Sequence, residues 1–539
     1  MMKKHKKWIP IFLAQIIFLL VVMSTPPLTQ AADQVTYYPP YPQGTIGINQ
    51  PEIGWTIFLG DNQLEKVEFT LNGAAIPVTY DEERHTFYAK PSKPLTGSNT
   101  VKATIHLKGW ANTIEKTWTF TVSKVSLSSL PLPNQEQLSA INLANDYRYI
   151  LGIPLYEWDR SLNMAAQKHA EYQDRLNVFG HYQKEGTSGF FGETVADRAS
   201  YYGFYGDTSE DISYQSNPSI QEAIDGLFDA PYHRIPFLNP SYQYYGYGKA
   251  GYFHVINFGG QIKSSLTRVA YPGQNQKDVP IAWNNYETPN PLRFYSNAPK
   301  KVGYPIMIGV YGSQVENVRL KSAIILDEEN HEVPIYVNSP KNTGGNDEHL
   351  QNEVILIPKS PLALDKKYKV SVILEVKQNQ LVKSYDQTWT FQTEKIAGKG
   401  KDTLHQQVNY PPFSDQMEEI HFRLGERFVQ VDNAQYPIDA IPYVQNNRTM
   451  VPFKVLGNSL GAKVDWNEQT KTVFYQKGNL TIELPINTLQ VKVNGKTLLL
   501  DQGAITKDGR SYVPIRFISE QLGAYVDWDD EKQQVTIKP

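Results

Sequence analysis

Residues 145–155 read Asn-Asp-Tyr-Arg-Tyr-Ile-Leu-Gly-Ile-Pro-Leu, and they end a helical pattern that begins just after Asn134. Asparagine favours the N-cap position, because its side chain accepts a hydrogen bond from an otherwise unpaired N–H of the first turn. Gly152 and Pro154 then stop the helix, since glycine suits a left-handed cap and proline cannot continue the hydrogen-bond ladder. The stretch therefore predicts a helix that ends at a sharp change of chain direction.

The surrounding segment, 133–261, predicts a domain that mixes helices and strands. Asp159 caps a second helix, whose apolar residues recur at helical spacing and which stops near Gly180. A third helix is predicted from Ser219 to Phe228. The alternation from Tyr244 to Gly260 is typical of two strands in a hairpin. We therefore expect an α+β domain here.

Two segments that flank this one, 35–124 and 264–395, predict β-sandwich domains. In the first, Asn72-Gly73 stands between alternating runs and is a strong hairpin signal, because both residues tolerate positive φ. The segments end in similar period-two strands, Lys116–Val122 and Gln387–Thr393. Both segments resemble the immunoglobulin-like domains of bacterial surface proteins, and this resemblance implies a role as spacers.

The C-terminal segment, 420–539, contains a duplication. Its motifs at 448–452 and 460–466 recur 62 residues later, and each copy predicts a strand, a short helix that begins at proline and ends at glycine, and a second strand. The pattern resembles the N-terminal stalk domain of copper amine oxidases, although nothing in it supplies a copper site. The resemblance implies a module for adhesion or wall association, or a scaffold without a ligand.

A linker is predicted at 396–419, between the second β segment and the duplication. It contains Gly398-Lys399-Gly400-Lys401 and Pro411-Pro412, a composition that does not bury a core. The fold class that follows is multidomain α+β, with the mixed domain between two immunoglobulin-like β-sandwiches and a duplicated α+β domain at the C-terminus.

The first residues of this 539-residue chain predict export. Four lysines precede an apolar run of about 16 residues, which is shorter than the roughly 20 needed to span a bilayer. Small residues near Ala31 then predict a signal peptide at 1–31 that is cleaved. We therefore expect a secreted protein without a transmembrane anchor in its mature form, attached to the cell wall, if at all, without a covalent bond.

Composition and charge exclude several classes of function. The chain has no cysteine, which excludes disulfides, thiolate metal sites and a cysteine nucleophile. Its formal net charge is −3, and loss of the four leader lysines lowers this to −7. A negative chain repels nucleic acid and anionic membranes, so no nucleic-acid partner is expected.

Several motifs of the segment 133–261 resemble, in order, those of the CAP superfamily of cysteine-rich secretory proteins, antigen 5 and pathogenesis-related 1 proteins. Besides 145–155, they are Ala165–Ala170, Asp197-Arg198-Ala199, Leu227–Arg234 and Ile256–Gly259. The resemblance covers this segment nearly end to end. It implies an α-β-α sandwich with a groove.

The same resemblance suggests which residues form a site. In many members the groove holds two histidines and two glutamates that can bind a divalent metal such as zinc. His181 matches the histidine after the second helix, Glu210 matches a glutamate, and His233 matches the histidine of the bacterial His-Arg pair with Arg234. The place of the second glutamate is taken by Ala230.

Each candidate also has an ordinary structural interpretation. His181 could bond the last carbonyls of a helix, Glu210 could be a solvated acid, and His233, at a predicted turn, could hold the third helix on the core. His169 lies on an apolar helix face and is interpreted as a core histidine. Glu193 precedes Asp197-Arg198, whereas the family places its glutamate after that motif, so it is set aside.

Three functions remain open at this point. The first is a binding module whose groove, with His181, Glu210, His233 and Arg234, holds a wall polymer, a lipid or a peptide. The second is a hydrolase of peptide or glycan bonds, in which His181, Glu210 and His233 hold a zinc ion that activates water. The third is a purely structural surface protein.

Overall fold

The computed structural model describes residues 35–539 apart from 83, 132, 217–218, 261–265, 313–314, 341–346, 379–380, 406–418, 427, 432–433, 439 and 508–509. The predicted signal peptide lies outside the described residues. Among the described helices, none combines the length and the apolar character that crossing a bilayer requires.

The first β segment, 35–124, folds as two sheets that share one core. Its strands are β1 (Thr36–Tyr37), β2 (Gly44–Ile48), β3 (Ile53–Phe58), β4 (Leu64–Leu71), β5 (Ala74–Ile76), β6 (Thr79–Asp81), β7 (Thr86–Ala89), β8 (Gly97–Leu107) and β9 (Ile114–Leu127). The sheet orders are β1-β3-β7-β6 and β2-β9-β8-β4-β5. Trp55 from one sheet and Trp118 from the other belong to the same buried cluster. Asn72 and Gly73 both have positive φ and join β4 to β5, as the sequence predicts.

The central segment, 133–261, carries helices on both faces of one sheet. Its elements are α1 (Gln135–Leu151), β10 (Glu157–Trp158), α2 (Arg160–Leu176), α3 (Val195–Tyr202), β11 (Asp207–Tyr214), α4 (Ile220–Asp229), α5 (Pro231–Leu238), β12 (Tyr242–Ala250) and β13 (Phe253–Gly260), and the sheet order is β10-β12-β13-β11. Asn134, Asp159 and Ser219 cap the helices that follow them. The second helix ends earlier than expected, because Asn177 adopts the left-handed conformation and forms its C-cap.

Close packing of α2 against the sheet fixes the position of the residues that follow the helix. A Cβ at Gly246 or Gly248 of β12 would overlap the backbone of α2, at Leu162 and Gln167 respectively, so only glycine allows this approach. The opposite face of the sheet presents Tyr247 and other large side chains to the core that contains α1, α4 and α5.

The second β segment, 264–395, repeats the strand order of the first. Its elements are β14 (Thr267–Tyr271), β15 (Gln276–Val279), β16 (Ala282–Asn284), a 3-10 helix (Pro291–Phe294), β17 (Lys301–Gly303), β18 (Ile306–Tyr311), β19 (Val315–Leu326), β20 (Ile335–Asn338), β21 (Glu353–Pro358), β22 (Lys367–Gln378) and β23 (Leu381–Thr393). Its main sheets are β14-β18-β21-β20 and β15-β23-β22-β19. The strand β15 runs parallel to the last strand, β23, just as β2 runs parallel to β9.

The C-terminal segment, 420–539, shows the predicted duplication. The elements of the first part are β24 (Ile420–Arg423), β25 (Phe428–Val431), β26 (Ala434–Pro437), β27 (Tyr443–Gln445), β28 (Arg448–Pro452), α7 (Phe453–Ser459), β29 (Lys463–Asn467), β30 (Thr472–Lys477) and β31 (Leu480–Pro485). Those of the second part are β32 (Gln490–Val493), β33 (Lys496–Leu499), β34 (Ile505–Lys507), β35 (Arg510–Pro514), α8 (Ile515–Gln521), β36 (Tyr525–Asp529) and β37 (Gln534–Lys538). The equivalent strands β28 and β35 pair antiparallel with Val451 opposite Val513, and Gly461 and Gly523 follow the two helices with positive φ.

The segments pack closely on the central one. Its core is continuous with that of the second β segment, where Tyr271 packs edge-to-face on Phe228 with ring centroids 4.6 Å apart. The C-terminal segment docks at the other end, where the backbone N–H of Trp158 donates to Glu426 at 3.1 Å and its indole N–H donates to the Leu424 carbonyl at 2.9 Å. Burial raises the pKa of Glu426 to about 8.

The described part of the predicted linker differs from the expectation of a free connection. It forms α6 (Gly400–Leu404), and Leu404 is buried in the shared core. His405 inserts between two aspartates of the central segment, with Nδ1 2.9 Å from Asp146 and Nε2 2.9 Å from Asp225. Burial opposes the charged form of His405, but the bonds to the aspartates outweigh it and raise its pKa to about 9.

The variant His405→Gln tests this contact. Breaking a buried ion pair typically costs about 3–5 kcal/mol, so urea denaturation at pH 6 should show a loss of that order. Because the folded pKa of His405 exceeds its unfolded value, its stabilisation is full below about pH 6.5 and fades as pH rises through about 9. The difference between parent and variant should therefore shrink at pH 10. His331→Gln, at an exposed histidine beside Asp327, is the matched control; an equal loss at both pH values contradicts the ionic contact.

Candidate functional site

A groove of about 370 Å³ lies between the central segment and the second β segment. The central segment contributes to its lining His181, Ser209, Glu210, Asp211, Tyr232, His233, Ile235, Pro236, Asn239 and Tyr242. The second β segment contributes Thr288, Pro289, Tyr311, His349, Gln351, Asn352 and Glu353. Three of the four predicted site residues therefore line one groove.

His181 and Glu210 form a hydrogen-bonded pair at one end. His181 follows α2 in a loop, and Glu210 lies on β11 opposite Asn257 of β13. His181 Nδ1 is 3.1 Å from Glu210 Oε1, and the imidazole is 51% exposed while the carboxylate is buried. A carboxylate on one ring nitrogen fixes the tautomer and orientation of an imidazole, so Nε2 of His181 is left to face solvent or a ligand.

A buried guanidinium holds the other oxygen of Glu210. Arg198, on α3, donates from Nη2 to Glu210 Oε2 at 2.7 Å and from Nη1 to the His181 carbonyl at 3.0 Å. In the orientation that satisfies its amide, Asn257 also donates to Oε2, at 3.0 Å. Burial disfavours ionisation of Glu210, but His181 and Arg198 outweigh it and hold the pKa of the carboxyl below its ordinary value.

His169 lies beside this pair, but both of its ring nitrogens are bonded to other groups of the protein. It is fully buried, with Nε2 3.1 Å from the Gly180 carbonyl and Nδ1 3.2 Å from the amide nitrogen of Gln183. Burial lowers its pKa to about 4, so the ring is neutral. These contacts agree with the interpretation of His169 as a core histidine. Glu193 is exposed, and Arg198 donates to its backbone carbonyl.

His233 forms a second histidine–carboxylate pair, whose carboxylate comes from another segment. It lies in α5, where the sequence predicts a turn; Pro236 inside that helix hides the helical pattern. His233 Nδ1 is 2.8 Å from Oε1 of Glu287, in the second β segment. The same oxygen accepts from the backbone N–H groups of Tyr232 and His233. Burial opposes protonation of His233, but the hydrogen bond to Glu287 outweighs it and raises the pKa to about 9.

Asp211 brings a further carboxyl group to the groove. It follows Glu210 on β11, is almost fully buried, and has one oxygen without a hydrogen bond to any described residue. Burial raises its pKa to about 7, although the charges of His233 and His181 act in the opposite direction. The carboxyl of Asp211 therefore stays protonated to a higher pH than that of an ordinary aspartate.

Arg234 does not take the predicted position at the ligand. It is fully buried beneath the groove and donates to the carbonyls of Phe228 at 2.7 Å and Pro305 at 2.7 Å. Its planar cation thus ties α4 and α5 to the second β segment, because five N–H donors can satisfy several carbonyls at once.

The predicted metal ligands do not form a three-ligand set. Of the described His, Asp and Glu residues, one group of three brings its ligand atoms within 4.8 Å of one another, and it is Asp327, Glu329 and His331 in a largely exposed turn. His181, Glu210 and His233 are not such a group, and both oxygens of Glu210 already carry donors. The residues present therefore do not fit a zinc ion held by these three side chains.

Tyr201 and Tyr205 pack against the first β segment rather than line the groove. Tyr205 stacks on Tyr41 of the first β segment, with ring centroids 4.4 Å apart. Tyr201 fills the space left by Gly47 of the same segment, where a Cβ would overlap its ring. These contacts join the first β segment to α3.

Two side chains of the site carry no sequence signal that marks their role. Glu287 is distant from His233 along the chain and lies in a different predicted domain, so neither periodicity nor spacing connects them. Arg198 belongs to the Asp197-Arg198-Ala199 motif, but nothing in that motif predicts that its guanidinium bonds to Glu210.

The variant Arg198→Met tests the support of Glu210. It leaves a buried carboxylate without its cation, which typically costs about 3–5 kcal/mol of stability. Adding Glu210→Gln to the same chain should restore part of the loss, because the amide carries no charge. Urea denaturation of the two single variants and the double variant measures the coupling. Simple additivity of the two single losses contradicts the pairing.

Comparisons with known proteins agree with the two resemblances drawn from the sequence. Residues 141–258 match the cysteine-rich secretory protein family (CAP), and residues 430–537 match the copper amine oxidase N-terminal domain. No curated protein matches the chain.

The solved structures that are similar to parts of the chain include a Bacillus protein and a Borrelia protein. An extracellular protein containing an SCP domain from Bacillus anthracis str. Ames is 16% identical, over 39% of this chain and 64% of that one, with a TM-score of 0.21. This chain therefore spans less than two thirds of the length of the Bacillus protein. An outer surface protein from Borrelia burgdorferi is 18% identical, over 24% of this chain and 96% of that one, with a TM-score of 0.21. From the family matches, the chain contains a CAP domain of the cysteine-rich secretory protein family at 141–258 and a copper amine oxidase N-terminal domain at 430–537.

Proposed function

We propose that this protein is exported and that the groove of its CAP domain binds a polar ligand outside the cell. The observation that carries the proposal is the pair of imidazoles, His181 and His233, that line one groove and are each fixed by a buried carboxylate. Binding groups that the protein holds in place before the ligand arrives lose little entropy when it binds. Buried polar groups are costly, so a fixed and partly solvated arrangement of this kind favours a binding role.

Among the expected ligands, the lining favours a wall polymer or a peptide over a lipid. The side chains of Ser209, Asn239, Gln351 and Asn352 line the same groove as the two histidines and offer a hydroxyl and three amides. An acyl chain gains its affinity from apolar surface, which this lining offers only in part. A polymer rich in hydroxyl and amide groups can pair with these side chains along its length.

The other segments support a protein of the cell envelope. The matching strand orders of the two β segments favour the proposed immunoglobulin-like sandwiches on either side of a CAP-type α-β-α sandwich. The predicted signal peptide at 1–31 accounts for export. The copper amine oxidase N-terminal domain is proposed to associate with the wall without a covalent bond.

A zinc-dependent hydrolase gains no specific support from the geometry. His181, Glu210 and His233 do not converge, and Arg198 occupies one oxygen of Glu210. No hydrolytic step is therefore assigned to these residues.

Calorimetric titration of solubilised cell-wall fragments into the mature full-length chain tests the proposal. Saturable binding is expected, and His181→Ala should weaken it by about tenfold, the equivalent of ~1.4 kcal/mol or one good hydrogen bond. The matched control is His331→Ala, because that histidine is exposed and lies away from the groove. Absence of binding, or equal binding by the two variants, overturns the groove as the binding site.

Titration of zinc into the same proteins separates binding from metal chemistry. We expect no saturable one-to-one uptake that depends on His181 and Glu210. If the parent binds one zinc ion and both His181→Ala and Glu210→Ala lose it, the hydrolase replaces the binding module as the favoured function.

A further inference from the structure

The groove is not formed by the CAP domain alone, because the second β segment forms one of its walls. We propose that the two segments build a single binding site for a glycan chain, in which Glu287 is a positioning residue for His233 and the turn at 349–353 is a ligand-contacting wall. The inference rests on the proposed function and names its ligand class.

Glu287 orients the imidazole of His233, just as Glu210 orients that of His181. Its side chain is fully buried, and Oε1 accepts from the imidazole and from the first backbone N–H groups of α5. The N-cap residue of that helix is Ala230, whose side chain cannot accept a hydrogen bond from it. An external carboxylate at a helix N-terminus satisfies unpaired N–H groups and interacts favourably with the helix dipole. One residue of the β segment thus sets both the helix start and the orientation of the ring.

The two walls are locked relative to each other. Tyr304 donates to Asp229 at 2.8 Å in the buried interface. Arg293, also of the β segment, donates to the hydroxyl of Tyr232 at 2.7 Å, and Tyr232 donates in turn to Asp347 at 2.5 Å. A continuous apolar core underlies these bonds. These contacts hold the two walls of the groove against each other.

The far wall is held rigid by its own carboxylate. Glu353 is buried and accepts from the backbone N–H groups of Gln351 at 3.2 Å and Asn352 at 3.0 Å. The side chain of Gln351 is exposed, and the His349 ring lies 5.3 Å from that of Tyr232. The turn therefore presents an amide and an imidazole to the groove that His181 and His233 also line.

The charges of the site are largely paired within the protein. Glu210 is paired with Arg198, and His233 with Glu287. Besides the carboxyl of Asp211, what remains for a ligand is mainly amide, hydroxyl and imidazole groups. These groups match hydroxyl and acetamido groups better than a phosphate or a fatty acid, which an ionised Asp211 would also repel.

Exposed aromatic rings lie next to His181 in the sequence and favour a sugar. Phe179 is 63% exposed and Tyr182 is 71% exposed, and the ring of Phe179 lies 6.3 Å from that of Tyr214. Large exposed rings grouped on one surface mark an interaction site. Sugar rings have faces of C–H groups that pack on aromatic rings, while their hydroxyls bond to polar side chains at the edge.

The experiment uses the mature full-length chain and a soluble hexamer of N-acetylglucosamine as the probe, measured by calorimetry. Gln351→Ala, in the β segment, should weaken binding three- to tenfold without affecting folding, because the side chain is exposed. Glu287→Gln should weaken it at least as much. His331→Ala, in the same β segment but away from the groove, should bind like the parent.

A spectroscopic arm makes the role of Glu287 independent of the ligand. Nitrogen-15 spectra of the histidine rings at pH 7.5 should show His233 doubly protonated in the parent, because its pKa is raised to about 9. In Glu287→Gln the fraction of doubly protonated His233 should fall, although Asp211 still favours the charged ring. An unchanged His233 signal overturns the positioning role.

The outcomes separate this inference from the proposed function. If the hexamer binds and only His181→Ala weakens it, the shared site is overturned while the binding function stands. If wall peptides or phosphatidylglycerol vesicles bind and the hexamer does not, the glycan assignment is overturned. If neither wall fragments nor the hexamer bind, the proposed function fails, whatever the histidine spectra show about Glu287.

Discussion

One buried oxygen, Oε1 of Glu287, brings together the parts of this molecule that matter for its site. It accepts from the start of α5 and from the imidazole of His233, although it belongs to a different segment. A carboxylate leaves water only where it gains several donors in return, so this contact demands that both segments be folded and docked. The groove is a consequence of that docking.

The accessory segments share this dependence on the central one. The C-terminal segment is bonded to Trp158, and the connecting chain is bonded to the central segment through His405. The first β segment contacts the central one where Tyr41 stacks on Tyr205. Modules that the sequence suggests as spacers and an anchor are thus part of one packed assembly. Their removal would expose apolar and charged surface of the CAP domain.

Helix caps and repeats can be predicted from neighbouring residues, whereas contacts between distant parts of the chain cannot. Asn134 and Asp159 cap helices as expected because a cap depends on three or four neighbouring residues. The duplication is equally visible, since repeats need no knowledge of contacts. The family resemblance placed His181, Glu210 and His233 at one groove. The sequence also predicted a ligand contact for Arg234 and a turn at His233, whereas Arg234 is buried and His233 lies in a helix. The partners that decide the chemistry, Glu287 for His233 and Asp146 for His405, come from distant parts of the chain, where no periodicity connects them.

The docking of Trp158 against Leu424 and Glu426 also sets an order of events in folding. Those contacts join residues more than 260 positions apart, and chain entropy delays contacts of such long separation until the later residues are present. The central domain consequently reaches its final packing only after the C-terminal segment has emerged. Until then, the surface around Trp158 that the C-terminal segment covers stays in contact with water.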